Sequence, residues 1–85
     1  MYEKWELIEA IREDIRGELD AIKLYERHVA LTDDKRAKAV LQDIANEEKT
    51  HTGELFTLLF ELDPVSAKEF SKGEEEVKEL LAKLK

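Results

Sequence analysis

Two long stretches in which apolar residues return every three or four positions, parted by only three polar residues, limit this chain to one kind of local architecture. From Lys4 to about Leu31, the residues Leu7, Ile11, Ile15, Ile22, Tyr25 and Val29 form one stripe, with arginines, glutamates and lysines opposite. A second stripe, Ala37, Leu41, Ile44, Ala45, Leu55, Leu59 and Leu62, runs up to Asp63-Pro64. Between them, Thr32-Asp33-Asp34 favours a turn, and Asp33 or Asp34 can cap the following helix by accepting its free amide hydrogens. Proline cannot continue a helix interior, so the second helix stops at Pro64. So short a link between two helices of similar length makes them an antiparallel hairpin.

Beyond the proline, VSAKEFSKG reads as a short helical turn bearing Val65, Ala67 and Phe70 and ended by Gly73. The last segment, EEEVKELLAKLK, has acids in its first turn and lysines in its last, as the helix dipole favours. Its stripe of Val77, Leu80, Leu81 and Leu84 is expected to bridge between copies rather than fold back on the hairpin. The expected organisation is a single all-α domain over 1–85, with helix 1 at about 4–31, helix 2 at about 34–62 and a C-terminal helical segment at about 65–84. Gly17, in mid-helix, costs about 1 kcal/mol relative to alanine; it either permits close approach of a neighbouring backbone or, on the preferred reading, is a surface glycine.

With 85 residues, a core made by this chain alone would be marginal, which favours oligomerisation. The formal net charge of −7 argues against a nucleic-acid binder, which needs a basic face, and suits the attraction of cations. Cysteine is absent, so disulfides and thiolate metal sites are excluded. No apolar run is long enough for a membrane helix and MYEKWEL is not a signal peptide, so the expectation is a soluble cytoplasmic protein.

Acids interrupt both stripes. Glu18 lies at the centre of the first, with Asp14 nearer its edge, and Glu48 lies at the centre of the second. A carboxylate on a face meant for burial costs several kcal/mol, of order, unless its charge is compensated. Glu48 is followed three residues later by His51, so both project from one helix face. Among 15 Glu and two His, a lone Glu-x-x-His arises easily by chance. Register makes it more informative. Glu18 lies 15 residues before the turn near residue 33 and Glu48 lies 15 after it. At about 1.5 Å per residue, both sit roughly 22 Å from the turn and should face each other. Tyr25 lies two turns from Glu18 towards the loop.

A Glu opposite a Glu-x-x-His is half of a carboxylate-bridged di-iron site, which takes two of each element from four helices. A two-helix hairpin also cannot cover its own stripes. A homodimer answers both shortfalls, with two hairpins forming a four-helix bundle and two copies each of Glu18, Glu48 and His51 around the metals. Carboxylate and imidazole donors suit Fe(II), Mn(II) or Zn(II). The plainer alternative is a carboxylate pair that shares a proton or is neutralised by lysine or arginine. Asp14 is either an acceptor for the free nitrogen of His51 or a solvated acid. Tyr25 is most simply a core aromatic, His28 is read as structural, and Trp5 as packing or a subunit contact.

Glu18, the 30-residue step to Glu48, Glu48-Lys49-Thr50-His51 and Tyr25, with the strings ELDAIKLYE and EEKTH, resemble the encapsulated ferritin-like family over about residues 7 to 80. These are half-length relatives of ferritin and rubrerythrin associated with encapsulin shells. The resemblance implies a ferroxidase that oxidises Fe(II) with O₂ at a di-iron site, two irons per dimer, with other divalent cations able to substitute. It further implies a decamer, a ring of five dimers, feeding iron storage inside an encapsulin nanocompartment. Glu18, Glu48 and His51 are then the metal ligands and Tyr25 a nearby catalytic group. Two features depart from the pattern. Gly17 stands where some members carry an acid of an outer metal site, although Asp20 remains, and ELLAKLK reads as a helix where packaged members have a flexible targeting peptide. Competing readings are a rubrerythrin-like peroxide reductase, against which no Cys-rich electron-transfer module is present, and a metal-free helical assembly or adaptor domain.

Overall fold

A computed structural model describes all 85 residues. It contains three helices and no strand: α1 (Lys4–Leu31), α2 (Lys35–Leu62) and α3 (Pro64–Ala82). The fold is thus all-α, an antiparallel hairpin followed by a C-terminal helix. Each boundary has a local cause. Glu3 and Glu6 form a capping box at the start of α1. Asp34 is the residue that caps α2, its Oδ1 accepting from the amides of Arg36 (2.8 Å) and Ala37 (3.1 Å). At the other end of the same turn, Lys38 Nζ donates to the Val29 carbonyl at 2.7 Å, so a cation meets the C-terminal dipole of α1.

The pairing of α1 and α2 follows a spacing of alternating threes and fours. On α1 the seam is Ile8, Ile11, Ile15, Glu18, Ile22, Tyr25 and Val29, every one of them buried or half-buried. On α2 it is Lys38, Leu41, Ala45, Glu48, Thr52, Leu55, Leu59 and Leu62, again without an exposed member. That is the 3.5-residue period of a left-handed coiled coil. It explains why Leu7, expected in the stripe, is 36% exposed, while Ile8 packs against Ile11, Ile15 and Leu59. Glu26 pins the register from outside the seam, accepting from Lys49 (2.8 Å) and Gln42 (3.3 Å) across the hairpin.

Asp63 makes the elbow into α3. Its amide donates to Leu59, closing α2. Its carboxylate accepts from the Ser66 hydroxyl at 2.5 Å, the Ser66 amide at 3.2 Å and Arg12 of α1 at 3.1 Å, tying all three helices to one side chain. Phe70 reaches back to Phe56 and Phe60, with ring centroids 5.9 and 5.1 Å away. Helix α3 does not end at Gly73. The glycine keeps a negative φ, and Lys78 pairs with Glu74 (3.0 Å) and Glu75 (3.6 Å) in the turn that follows. Good helix formers on both sides outweigh its propensity cost of about 1 kcal/mol. A Cβ at Gly17 would meet nothing within 4 Å, as a surface glycine requires.

The result is a single layer. The chain measures 50 × 45 × 14 Å, and 14 Å is little more than one helix diameter. Its radius of gyration is 16.8 Å, against about 12 Å for a compact chain of this length. Only five residues are buried, and Val77, Leu80, Leu81 and Leu84 are all more than half exposed, so the C-terminal stripe does not fold back on the hairpin. Trp5, at 67% exposure, has no packing role within one copy. No helix is long and apolar enough to cross a membrane.

Three carboxylates are held below their ordinary range: Asp63 chiefly by the Ser66 hydroxyl, Asp34 by the Arg36 side chain, and Glu26 by Lys49. A carboxylate whose pKa is lower folded than unfolded stabilises the fold above the unfolded value, and that contribution fades as pH falls through the folded one. The urea midpoint should therefore stay level from neutral pH to the ordinary carboxylate range and drop below it. Asp63→Asn should lower the midpoint at pH 7 and shrink the acid drop. An equally steep drop in that variant would rule out Asp63 as a contributor.

Candidate metal centre

The 3.5-residue seam delivers Glu18 from α1 and Glu48 from α2 to the same level of the hairpin, and His51 stands beside them one turn along α2. One ligating atom from each of the three lies within 4.8 Å of the other two. His51 Nδ1 is 3.6 Å from Glu48 Oε2 and 3.8 Å from Glu18 Oε2. Both separations exceed hydrogen-bond length. The carboxylates are largely covered, with side-chain exposures of 26% for Glu18 and 20% for Glu48, whereas His51 is 50% exposed. The imidazole therefore stands at the edge of the pair.

What surrounds these groups is more telling than their proximity. The Oε2 atom of Glu18 is buried and has no hydrogen-bond partner. Unpaired buried acceptors are rare because leaving one unmet costs about 1–3 kcal/mol, more for a charged group. No lysine or arginine pairs with Glu18 or Glu48. Lys49, beside Glu48 in sequence, is committed to Glu26, and Arg12 to Glu9 and Asp63. The neutralisation by Lys or Arg considered from sequence does not occur within the chain.

Two carboxylates and an imidazole nitrogen fit a divalent cation. Oxygen and nitrogen ligands bind such ions at about 2.0–2.2 Å, which separates neighbouring donors by roughly 3–3.5 Å. The observed 3.6 and 3.8 Å lie within a small side-chain rotation of that spacing. Hard oxygen donors with one imidazole suit Fe(II), Mn(II) or Zn(II).

The remaining candidates are spread more widely. Tyr25 is half-buried in the α1 seam, two turns or about 10 Å along the axis from Glu18. Asp14 is exposed, and the acids within ion-pair range of His51 are Glu18 and Glu48. His28 and Asp20 are exposed and stand apart from the cluster. Thr52 was not anticipated. It is the one buried polar residue of the chain, and its hydroxyl donates to the Glu48 carbonyl at 2.9 Å. Four positions at 100° place it 40° from Glu48, inside the apolar stripe, so its polarity rather than its place on the helix hid it.

No family model matches the chain. It is 48% identical over 79 residues to a ferritin-like–encapsulin shell fusion protein of Pyrococcus furiosus, covering 93% of this chain and 23% of that protein. It is 45% identical over 62 residues to the encapsulin nanocompartment cargo protein EncC of Myxococcus xanthus, covering 73% and 48% respectively. The chain thus spans about a quarter and about half of these two relatives. The crystal structure of the encapsulated ferritin domain from Pyrococcus furiosus superimposes with a TM-score of 0.91 at 48% identity, over 94% of this chain and 82% of the other. With identity that high across most of a solved domain, and the same helical hairpin beneath it, this chain belongs to the encapsulated ferritin-like family.

Proposed function

We propose that this protein is a ferroxidase, oxidising Fe(II) to Fe(III) with O₂ at a di-iron site assembled between two copies of the chain. The observation that carries the reading is the buried Glu18 Oε2, without a hydrogen-bond partner, beside Glu48 and His51 in a seam where no lysine or arginine pairs with either acid. Membership of the family supports it, since the relatives are a ferritin-like–encapsulin fusion, an encapsulin cargo protein and an encapsulated ferritin domain.

One chain offers two carboxylates and one imidazole, too few donors for two ions. A two-fold related copy doubles the set to four carboxylates and two imidazoles, whose four negative charges roughly match two divalent cations. The single-layer shape favours the same arrangement, because a hairpin 14 Å thick leaves its outer faces uncovered. Two hairpins then make a four-helix bundle. The exposed stripe of α3 is free to join such dimers into the ring of five expected for the family.

Fe(II) is the substrate, and each ion gives one electron to O₂. The protein's contribution is positional and electrostatic. Glu18 and Glu48 hold charge density that is worth more against Fe(III) than against Fe(II), which favours the oxidised state. The half-exposed His51 supplies a neutral donor at the edge that faces solvent. Tyr25 lies on the same seam, two turns from Glu18, and would stand outside the donor set. The relatives' names further suggest that the oxidised iron is delivered to the interior of an encapsulin shell.

Aerobic addition of Fe(II) should give ferric absorbance at a rate that falls at least tenfold in Glu48→Ala and His51→Ala. Equal rates in all three proteins would sink the ferroxidase reading. Turnover with peroxide but not O₂ would make the protein a peroxide reductase. Failure to bind any metal would leave a helical assembly domain. Fe(II), Mn(II) or Zn(II) should also drive association in sedimentation, because the ligand set is divided between chains. A metal-loaded monomer would contradict the shared site.

Glu18→Gln separates the site from the scaffold. Removing a charge that has no partner should leave the metal-free thermal midpoint equal or higher, while the upward shift on adding metal disappears. A lower midpoint without metal would mean that Glu18 serves the fold rather than the ion.

A further inference from the structure

The geometry points to Thr52 as a positioning residue, its hydroxyl holding the turn of α2 that carries both Glu48 and His51; this rests on the metal-site reading above. Thr52 occupies a seam position between Glu48 and Leu55, where the helical pairing calls for an apolar side chain. It is the only polar residue in the chain that is buried, at 9% exposure. Valine has the same shape and would bury more apolar surface, so the hydroxyl contributes nothing to packing. Its one hydrogen bond is to the carbonyl of Glu48 at 2.9 Å.

That carbonyl already receives the helical amide of Thr52, so a single oxygen accepts two donors. Back-bonding of this kind draws the carbonyl outward and opens or bends the helix locally. The affected turn runs from Glu48 to Thr52 and contains His51. Within it, the imidazole Nδ1 stands 3.6 Å from Glu48 Oε2, too far for a hydrogen bond and close to the spacing two donors need around one ion. Two further hydroxyls treat the neighbouring turns in the same way, Thr50 to Asn46 at 3.4 Å and Thr57 to Gly53 at 2.9 Å, but both are exposed. Thr52 alone acts from a buried position in the seam, where its bond is partly shielded from water.

The test is a Co(II) titration of the 85-residue chain, read by visible absorption, which reports affinity and donor geometry together. Thr52→Val should bind Co(II) about tenfold more weakly than wild type, with an altered band shape, while its metal-free thermal midpoint is unchanged or higher. Thr52→Ser, which keeps the hydroxyl, should restore both affinity and band. If the valine variant does not fold, Thr52→Ala against Thr52→Ser carries the same comparison. Wild-type affinity and band in Thr52→Val would overturn the proposal while leaving the metal site standing. Equal losses in the serine and valine variants would overturn it too, because the methyl group would then be what matters. A wild-type protein giving no Co(II) band would bring down the metal reading and this proposal with it.

Discussion

Two carboxylates set into the seam of a helical hairpin, with no lysine or arginine to answer them, are the constraint around which this molecule is arranged. Burial of an uncompensated charge is among the costlier things a small protein can do. The chain has fourteen lysines and arginines, enough to pair Glu18 and Glu48 many times over. Instead Lys49, next to Glu48 in sequence, turns outward to Glu26, and Arg12 goes to Glu9 and to the elbow at Asp63. The basic residues reinforce register and corner geometry while the acids in the seam stay unpaired. Such a distribution makes sense when the compensating charge comes from outside the chain.

The flatness of the molecule points the same way. A helix buries one stripe against a neighbour, and here α1 and α2 spend that stripe on each other, including the two positions occupied by glutamate. The core made by Ile11, Ile15 and Leu59 is accordingly small, and large apolar side chains such as Trp5, Leu24, Phe70 and Leu81 remain exposed. A second layer supplied by another copy would cover those faces and bring a second acid pair to the first. On the proposed reading, the packing deficit and the ligand deficit have one remedy.

How much of this the residues disclosed depended on the length scale. The hairpin was legible because Thr32-Asp33-Asp34 and Asp63-Pro64 are strong local breaks around long periodic runs. Equal distances of Glu18 and Glu48 from the turn then placed the acids opposite each other, since helical rise is nearly invariant. Details of the seam were not legible from a 3.6-residue period. Over several turns the difference between 3.5 and 3.6 shifts the buried face by enough to exchange Leu7 for Ile8, whereas Thr52 was missed because a polar residue was not expected in the stripe. Gly73 misled for a different reason. A glycine stops a helix only when the chain needs its left-handed conformation, and here the Lys78 pairs and the elbow at Asp63 make continuation cheaper. The partners of long basic side chains, Lys38 on the Val29 carbonyl above all, were beyond reach because they depend on where the turn directs the chain.

On the proposed reading, dividing the site between two copies changes the sign of their encounter. Two hairpins approaching through their acid pairs bring four carboxylates together, and like charges at such range repel by several kcal/mol in a partly desolvated seam. Apolar contact between the outer faces must overcome that repulsion before any metal-free dimer forms. A pair of divalent cations turns the same charges into the strongest attraction in the interface. The unpartnered oxygen of Glu18 is then a cost in the single chain and an asset in the dimer. A marginal core serves this arrangement well, since a chain already stable in isolation would give up little of its freedom to respond to the ion.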